Sequence, residues 1–156
     1  FLRQLWVGTG PKLHPAMYDG QPGVELETNC TIAGIPFKVI PDLIEKDDDG
    51  YRLLDFKVSN PDYQDIHRSI QLTIEAAIFE IPRVTLLICD KRYSTLHWMN
   101  STRDIEGAWK FAEKLTTTVA EGISKGVFPL TSPELNNLCS KKFCPHWAGC
   151  LGSMGF

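Results

Sequence analysis

Hydrophobic spacing along this chain switches between the period of a strand and that of a helix. The order of those switches narrows the fold more than any single residue does. Residues 24–32, "VELETNCTI", alternate Val24, Leu26 and Thr28 against Glu25, Glu27 and Asn29, as a half-buried strand does. Ala33-Gly34 then supplies a tight turn. "IPFKVIPDLIE" (35–45) reads as a second strand, "KDDDG" (46–50) as a polar turn and "YRLLDFKV" (51–58) as a third strand. Together they predict an antiparallel meander.

The period changes at Asn60-Pro61, a capping side chain followed by the residue best suited to a first helical position. Ile66, Ile70, Ile74, Ala77 and Ile78 keep helical spacing to about Glu80. "RVTLLICD" (83–90) and "RYSTLHWM" (92–99) read as two further strands, the first almost wholly buried. A second helix is expected behind Ser101 and Asp104, carrying Ile105, Trp109, Ala112, Leu115, Val119 and Ile123, with Gly126 as its C-cap. Three strands, a helix, two strands and a helix make a mixed β-sheet flanked by helices, the α/β class.

The chain has 156 residues, a length that suits one domain with one core. We expect a single unit over 1–156, with a core over 24–125 and a cysteine-rich tail over 127–156. No apolar run is long enough to span a bilayer. The net charge of −3 argues against a protein that coats nucleic acid through bulk basicity. It leaves room for an enzyme that binds nucleic acid locally. The chain starts at Phe1 on an apolar-aromatic run, and a preceding segment is expected.

Chemistry concentrates at two places. On the third strand Asp55 and Lys57 are two residues apart and so share a face, with Phe56 on the other. The hairpin can return Asp42 opposite Asp55. Two carboxylates held close repel unless a cation lies between them. Hard oxygen donors without sulfur or imidazole suit Mg²⁺ or Mn²⁺. A lysine beside such a cation can orient water and stabilise developing negative charge. That is equipment for phosphodiester hydrolysis. An exposed Asp–Lys ion pair is the bland alternative, and the aliphatic neighbours Val39, Ile40, Leu53 and Leu54 weigh against it.

The second place is "CSKKFCPHWAGC" (139–150). Cys139, Cys144 and Cys150 crowd together, and the total of five cysteines is odd. Ligation in a reducing, cytoplasmic compartment fits better than a disulfide framework. An iron–sulfur cluster with a distant fourth thiolate and a zinc site completed by His146 both remain open. Cys30 and Cys89 lie in strands and read as small buried hydrophobes.

Pro41-Asp42 followed by Asp55-Phe56-Lys57, with Gln71-Leu72 on the next helix, resembles the PD-(D/E)xK nuclease superfamily. Asp55-Phe56-Lys57 followed by Gln71-Leu72 on a helix looks like the RecB-like branch, including CRISPR-associated and phage recombination exonucleases. The resemblance implies a restriction-endonuclease-like fold and a metal-dependent deoxyribonuclease acting on DNA ends or single strands. Its pathway would be recombination, repair or CRISPR adaptation, with a partner protein possible. It implies Asp42, Asp55 and the Phe56 carbonyl as metal ligands, Lys57 as the catalytic lysine and Gln71 as the helix glutamine approaching the site. The family often carries tyrosine four residues further on, where this chain has Glu75. His14, in Gly10-Pro11-Lys12-Leu13-His14, has the spacing of the family's metal-binding histidine. The resemblance also favours a [4Fe–4S] cluster on Cys139, Cys144 and Cys150, with its fourth cysteine upstream of Phe1. A non-catalytic DNA-end-binding or assembly module of the same fold is the alternative.

Overall fold

A computed structural model describes residues 13–90, 92, 93 and 95–127. The chain divides into two compact units, 1–117 and 118–156. In the first, β1 (Met17–Tyr18) pairs with β2 (Gln21–Pro22), and β3 (Thr28–Ile32) pairs with β4 (Ile35–Val39). The main sheet has four strands in sequence order: β5 (Leu43–Asp47), β6 (Gly50–Val58), β7 (Arg83–Asp90) and β8 (Thr95–Thr102). β5–β6 and β7–β8 are antiparallel, while β6–β7 is parallel. The parallel pair follows from the helix α1 (Ile70–Phe79) crossing between its strands. A second helix, α2 (Ile105–Ser124), follows β8. The α/β class is as expected.

The three-strand meander is not. The strand expected over 35–45 is two strands in two sheets, divided at Ile40-Pro41-Asp42. The run over 24–32 is also interrupted, because Glu25 holds φ at +46°, which no extended strand accommodates. Val24 makes only an isolated bridge to Leu43. The turns did follow local chemistry: Ala33 and Gly34 both take positive φ, as a two-residue hairpin loop requires.

The expected helix start at Pro61 is also corrected. Asn60 and Asp65 each cap a single 3-10 turn, Pro61–Tyr63 and Ile66–Arg68. Ser69 then caps α1 through the Leu72 amide at 3.2 Å. The capping signal at Asn60 was real, but a succession of short caps absorbed it. At the other end, Glu80 closes α1 in the left-handed region, φ 53°. Ser101 lies within β8, and Asp104 caps α2 through the Gly107 amide at 3.0 Å.

Parity across the main sheet sets what faces α1. Ile44, Leu53 and Val84 align across three strands and are buried with Leu72, Ala76 and Phe79 of α1. Asp55 aligns with Leu86, and Lys57 with Ile88. Asp55 and Lys57 therefore lie in the same inward rows as this core. The alternate residues Leu43, Leu54 and Leu87 are buried on the opposite face. In the second unit the described residues are 118–127, where Gly126 ends the helix at φ +66°.

Candidate active site

Alternation along β5 explains why a proline and an aspartate stand together at its start. Ile44 and Lys46 bond outward to the segment 14–23: the Ile44 amide donates to Gly23 and the Lys46 amide to His14. The Asp42 carbonyl likewise accepts from the Glu25 amide at 3.1 Å. Odd-numbered residues therefore face β6. The register with β6 ends at Leu43–Leu54, with Pro41 and Asp42 just before β5, and Pro41 has no N–H with which to continue the ladder. The Phe56 amide finds another acceptor, the Asp42 carboxylate, at 2.7 Å. Asp42 thereby sits close enough to Asp55 for its charge to act on the Asp55 carboxyl.

Asp55 is 1% exposed. Its Oδ1 accepts from Lys57 Nζ at 2.8 Å and from Gln71 Nε2 at 3.0 Å. Gln71 is in the first turn of α1, facing β6, and its Oε1 accepts from Lys57 Nζ at 3.2 Å. Burial raises the Asp55 carboxyl above its ordinary range against the pull of Lys57, and the Asp42 charge adds to the rise.

Sequence reasoning passed over Glu75 as a site residue. It lies one helical turn after Gln71, is 2% exposed, and its Oε1 accepts from Gln71 Nε2 at 2.9 Å. Its Oε2 is buried with no hydrogen-bond partner among the described residues. Burial pushes its carboxyl up to about 7, with the Asp55 and Asp42 charges acting in the same direction. The signal was available: residues four apart on a helix share a face, so any role for Gln71 implicated Glu75.

The structure therefore brings together Asp42, Asp55, Lys57 and Gln71, and adds Glu75. It does not bring in the His14 backbone. His14 donates its amide to Glu45 Oε1 at 3.0 Å and pairs with Lys46, toward the far end of β5 from Asp42. Glu27 pairs with Lys38, and Glu25 is exposed in its turn. A cleft of about 350 Å³ that includes Arg52, Thr85 and Asn100 lies elsewhere; none of the five site residues lines it. Cys139, Cys144, His146 and Cys150 lie outside the described residues.

Among the described residues no group of three or more His, Cys, Asp or Glu is arranged to hold a metal ion. The donors offered here are of another composition: the Asp42 and Asp55 carboxylates and the Phe56 main-chain carbonyl. All are hard oxygens, and the repulsion between Asp42 and Asp55 is of the kind a cation relieves. On that chemistry the residues fit Mg²⁺ or Mn²⁺.

No family model and no curated protein matches the chain. Among solved structures, the "Crystal structure of SSO0001" aligns with a TM-score of 0.49 at 19% identity. The alignment covers 96% of this chain and 65% of that one. No helix among the described residues is long and apolar enough to cross a membrane.

Proposed function

We propose that this chain is a metal-dependent deoxyribonuclease of restriction-endonuclease-like fold. Its substrates would be DNA ends or single strands, in recombination, repair or CRISPR adaptation. The observation that carries the reading is the convergence of Asp42, Asp55, Lys57 and Gln71 from β6, α1 and the start of β5. Asp55, Lys57 and Gln71 form a closed set of hydrogen bonds.

A bound divalent cation would supply Lewis acidity toward a phosphate oxygen and acidify a water. Asp42, Asp55 and the Phe56 carbonyl would hold it. Lys57 carries its charge beside Asp55, where it can neutralise a non-bridging phosphate oxygen and orient an attacking water. Gln71 accepts from Lys57 and donates to Asp55, which limits the directions the ammonium can take. The proposal carries with it a cytoplasmic setting and a [4Fe–4S] cluster on Cys139, Cys144 and Cys150, with zinc as the alternative. A partner protein in a recombination or CRISPR complex is part of the same reading.

End-labelled single- and double-stranded DNA, incubated with pure protein and Mg²⁺, Mn²⁺ or EDTA, tests it. Cleavage is expected with either metal and not with EDTA. Asp55→Ala and Lys57→Ala should each abolish it with circular dichroism unchanged. Calorimetric metal binding should be lost in Asp55→Ala and retained in Lys57→Ala. Unchanged cleavage in both variants would sink the assignment. End binding without cleavage in the wild type would favour the non-catalytic module.

A further inference from the structure

Among the described residues, Gln71 bonds both Asp55 and Lys57 from a separate element, yet an amide is symmetric in shape and can be turned over. Its useful orientation needs the carbonyl toward Lys57 and the NH₂ toward Asp55. Asp55 Oδ1, which also serves Lys57, holds the NH₂, and the Lys57 ammonium holds the carbonyl. The second NH₂ contact is Glu75 Oε1 at 2.9 Å. We propose that Glu75 is a positioning residue: it fixes the Gln71 amide and, through it, the Lys57 ammonium beside Asp55. This deepens the nuclease reading and rests on it.

Three features support the role. A turned amide would set its carbonyl against oxygens of both Asp55 and Glu75, and its NH₂ against an ammonium. Three favourable contacts would become three unfavourable ones. The role does not depend on the charge of Glu75, because a proton on Oε2 leaves Oε1 free to accept. Finally, a carboxyl 2% exposed with one oxygen unpartnered among the described residues is a poor choice for stability. An aliphatic side chain at position 75 would pack with Leu72 and Ala76 at no such cost. A group that weakens the fold while ordering a neighbour's amide belongs with sites in which stability and activity are traded.

Two conservative changes separate this from a packing role. Glu75→Gln retains an acceptor of the same length, while Glu75→Leu removes it and fills the space. Two readouts are needed. The first is proton exchange of the Gln71 side-chain amide by NMR, assigned by its loss in Gln71→Ala. The second is kcat and KM for DNA cleavage. Slow exchange is expected in the wild type and in Glu75→Gln, and fast exchange in Glu75→Leu. Loss of one net hydrogen bond corresponds to roughly a tenfold fall in kcat for Glu75→Leu. KM and metal affinity should stay unchanged and the melting temperature should not fall. Glu75→Gln should restore most of that loss. Equal kcat and equal Gln71 exchange in wild type and Glu75→Leu would overturn the proposal. So would a Glu75→Gln variant as impaired as Glu75→Leu. If Glu75→Leu does not fold, Glu75→Met, unbranched and of similar length, takes its place with the same outcomes. A wild type that cuts no DNA would remove the nuclease reading, and the exchange measurement would still decide the part played by Glu75.

Discussion

At the residue scale the chain sets three ionisable groups, Asp55, Lys57 and Glu75, around the Gln71 amide, with Asp42 beside Asp55. Glu75 is 2% exposed, and burial moves its carboxyl well above the ordinary range. In the unfolded chain its carboxyl titrates near the ordinary value of 4.5; in the fold, burial moves it to about 7. Between those values the folded state keeps a proton that the unfolded state has released. Stability therefore falls as pH rises through that window and is level above it. At 1.36 kcal/mol per unit the whole effect is roughly 3 kcal/mol. Urea unfolding in EDTA, from pH 4.5 to 8, should show that decline in the wild type and little of it in Glu75→Gln. The Asp55 carboxyl, also raised, adds a decline in both proteins, and the difference between them reports Glu75 together with its coupling to Asp55. Parallel curves for the two would contradict the burial of Glu75.

At the element scale the decisive feature is the break between β4 and β5. The segment 35–45 has the apolar density of one strand, and alternation alone gives no reason to cut it. The ladder stops at Leu43, Pro41 has no N–H to extend it, the Asp42 side chain accepts from the Phe56 amide, and the chain passes from one sheet to another. The outer edge of β5 is covered by residues 14–25 instead of by a neighbouring strand. That cover depends on Gly23, where an added Cβ would lie 2.7 Å from the Ile44 carbonyl oxygen and 3.0 Å from that of Ala16. Both are main-chain atoms held by hydrogen bonds, so neither yields readily. Gly23→Ala should cost roughly 1–3 kcal/mol in urea unfolding. It should also speed amide exchange at Ala16 and Ile44 more than in β7. An unchanged midpoint would show that this approach is looser than described. Lysine and aspartate spaced by two needed no such tertiary help: period-two geometry put Asp55 and Lys57 in adjoining inward rows, as their spacing required.

At the scale of the whole molecule, the proposed cluster would sit on Cys139, Cys144 and Cys150, which lie outside the described residues. A cluster requires four thiolates and only three stand together. The zinc alternative is complete with His146, but Cys144 and His146 are separated by a single residue, a shorter spacing than structural zinc sites usually use. Protein purified without air is expected to be brown and to contain iron. One equivalent of zinc and no iron would replace the cluster with zinc and leave the nuclease proposal standing.

Local chemistry by itself determined the class of fold, the hairpin loops at Ala33-Gly34 and Asp48-Asp49, and the common face of Asp55 and Lys57. Each follows from side-chain periodicity or from backbone preferences over a few residues. Only tertiary structure decided where the 35–45 run divides, that α1 begins at Ile70 after two short turns, and that Glu75 is buried against the Gln71 amide. Those outcomes depend on hydrogen-bond partners supplied from elsewhere in the chain: β6 for Asp42, residues 14–25 for β5, and a covering sheet that removes water from a carboxyl whose own sequence neighbours would have left it solvated.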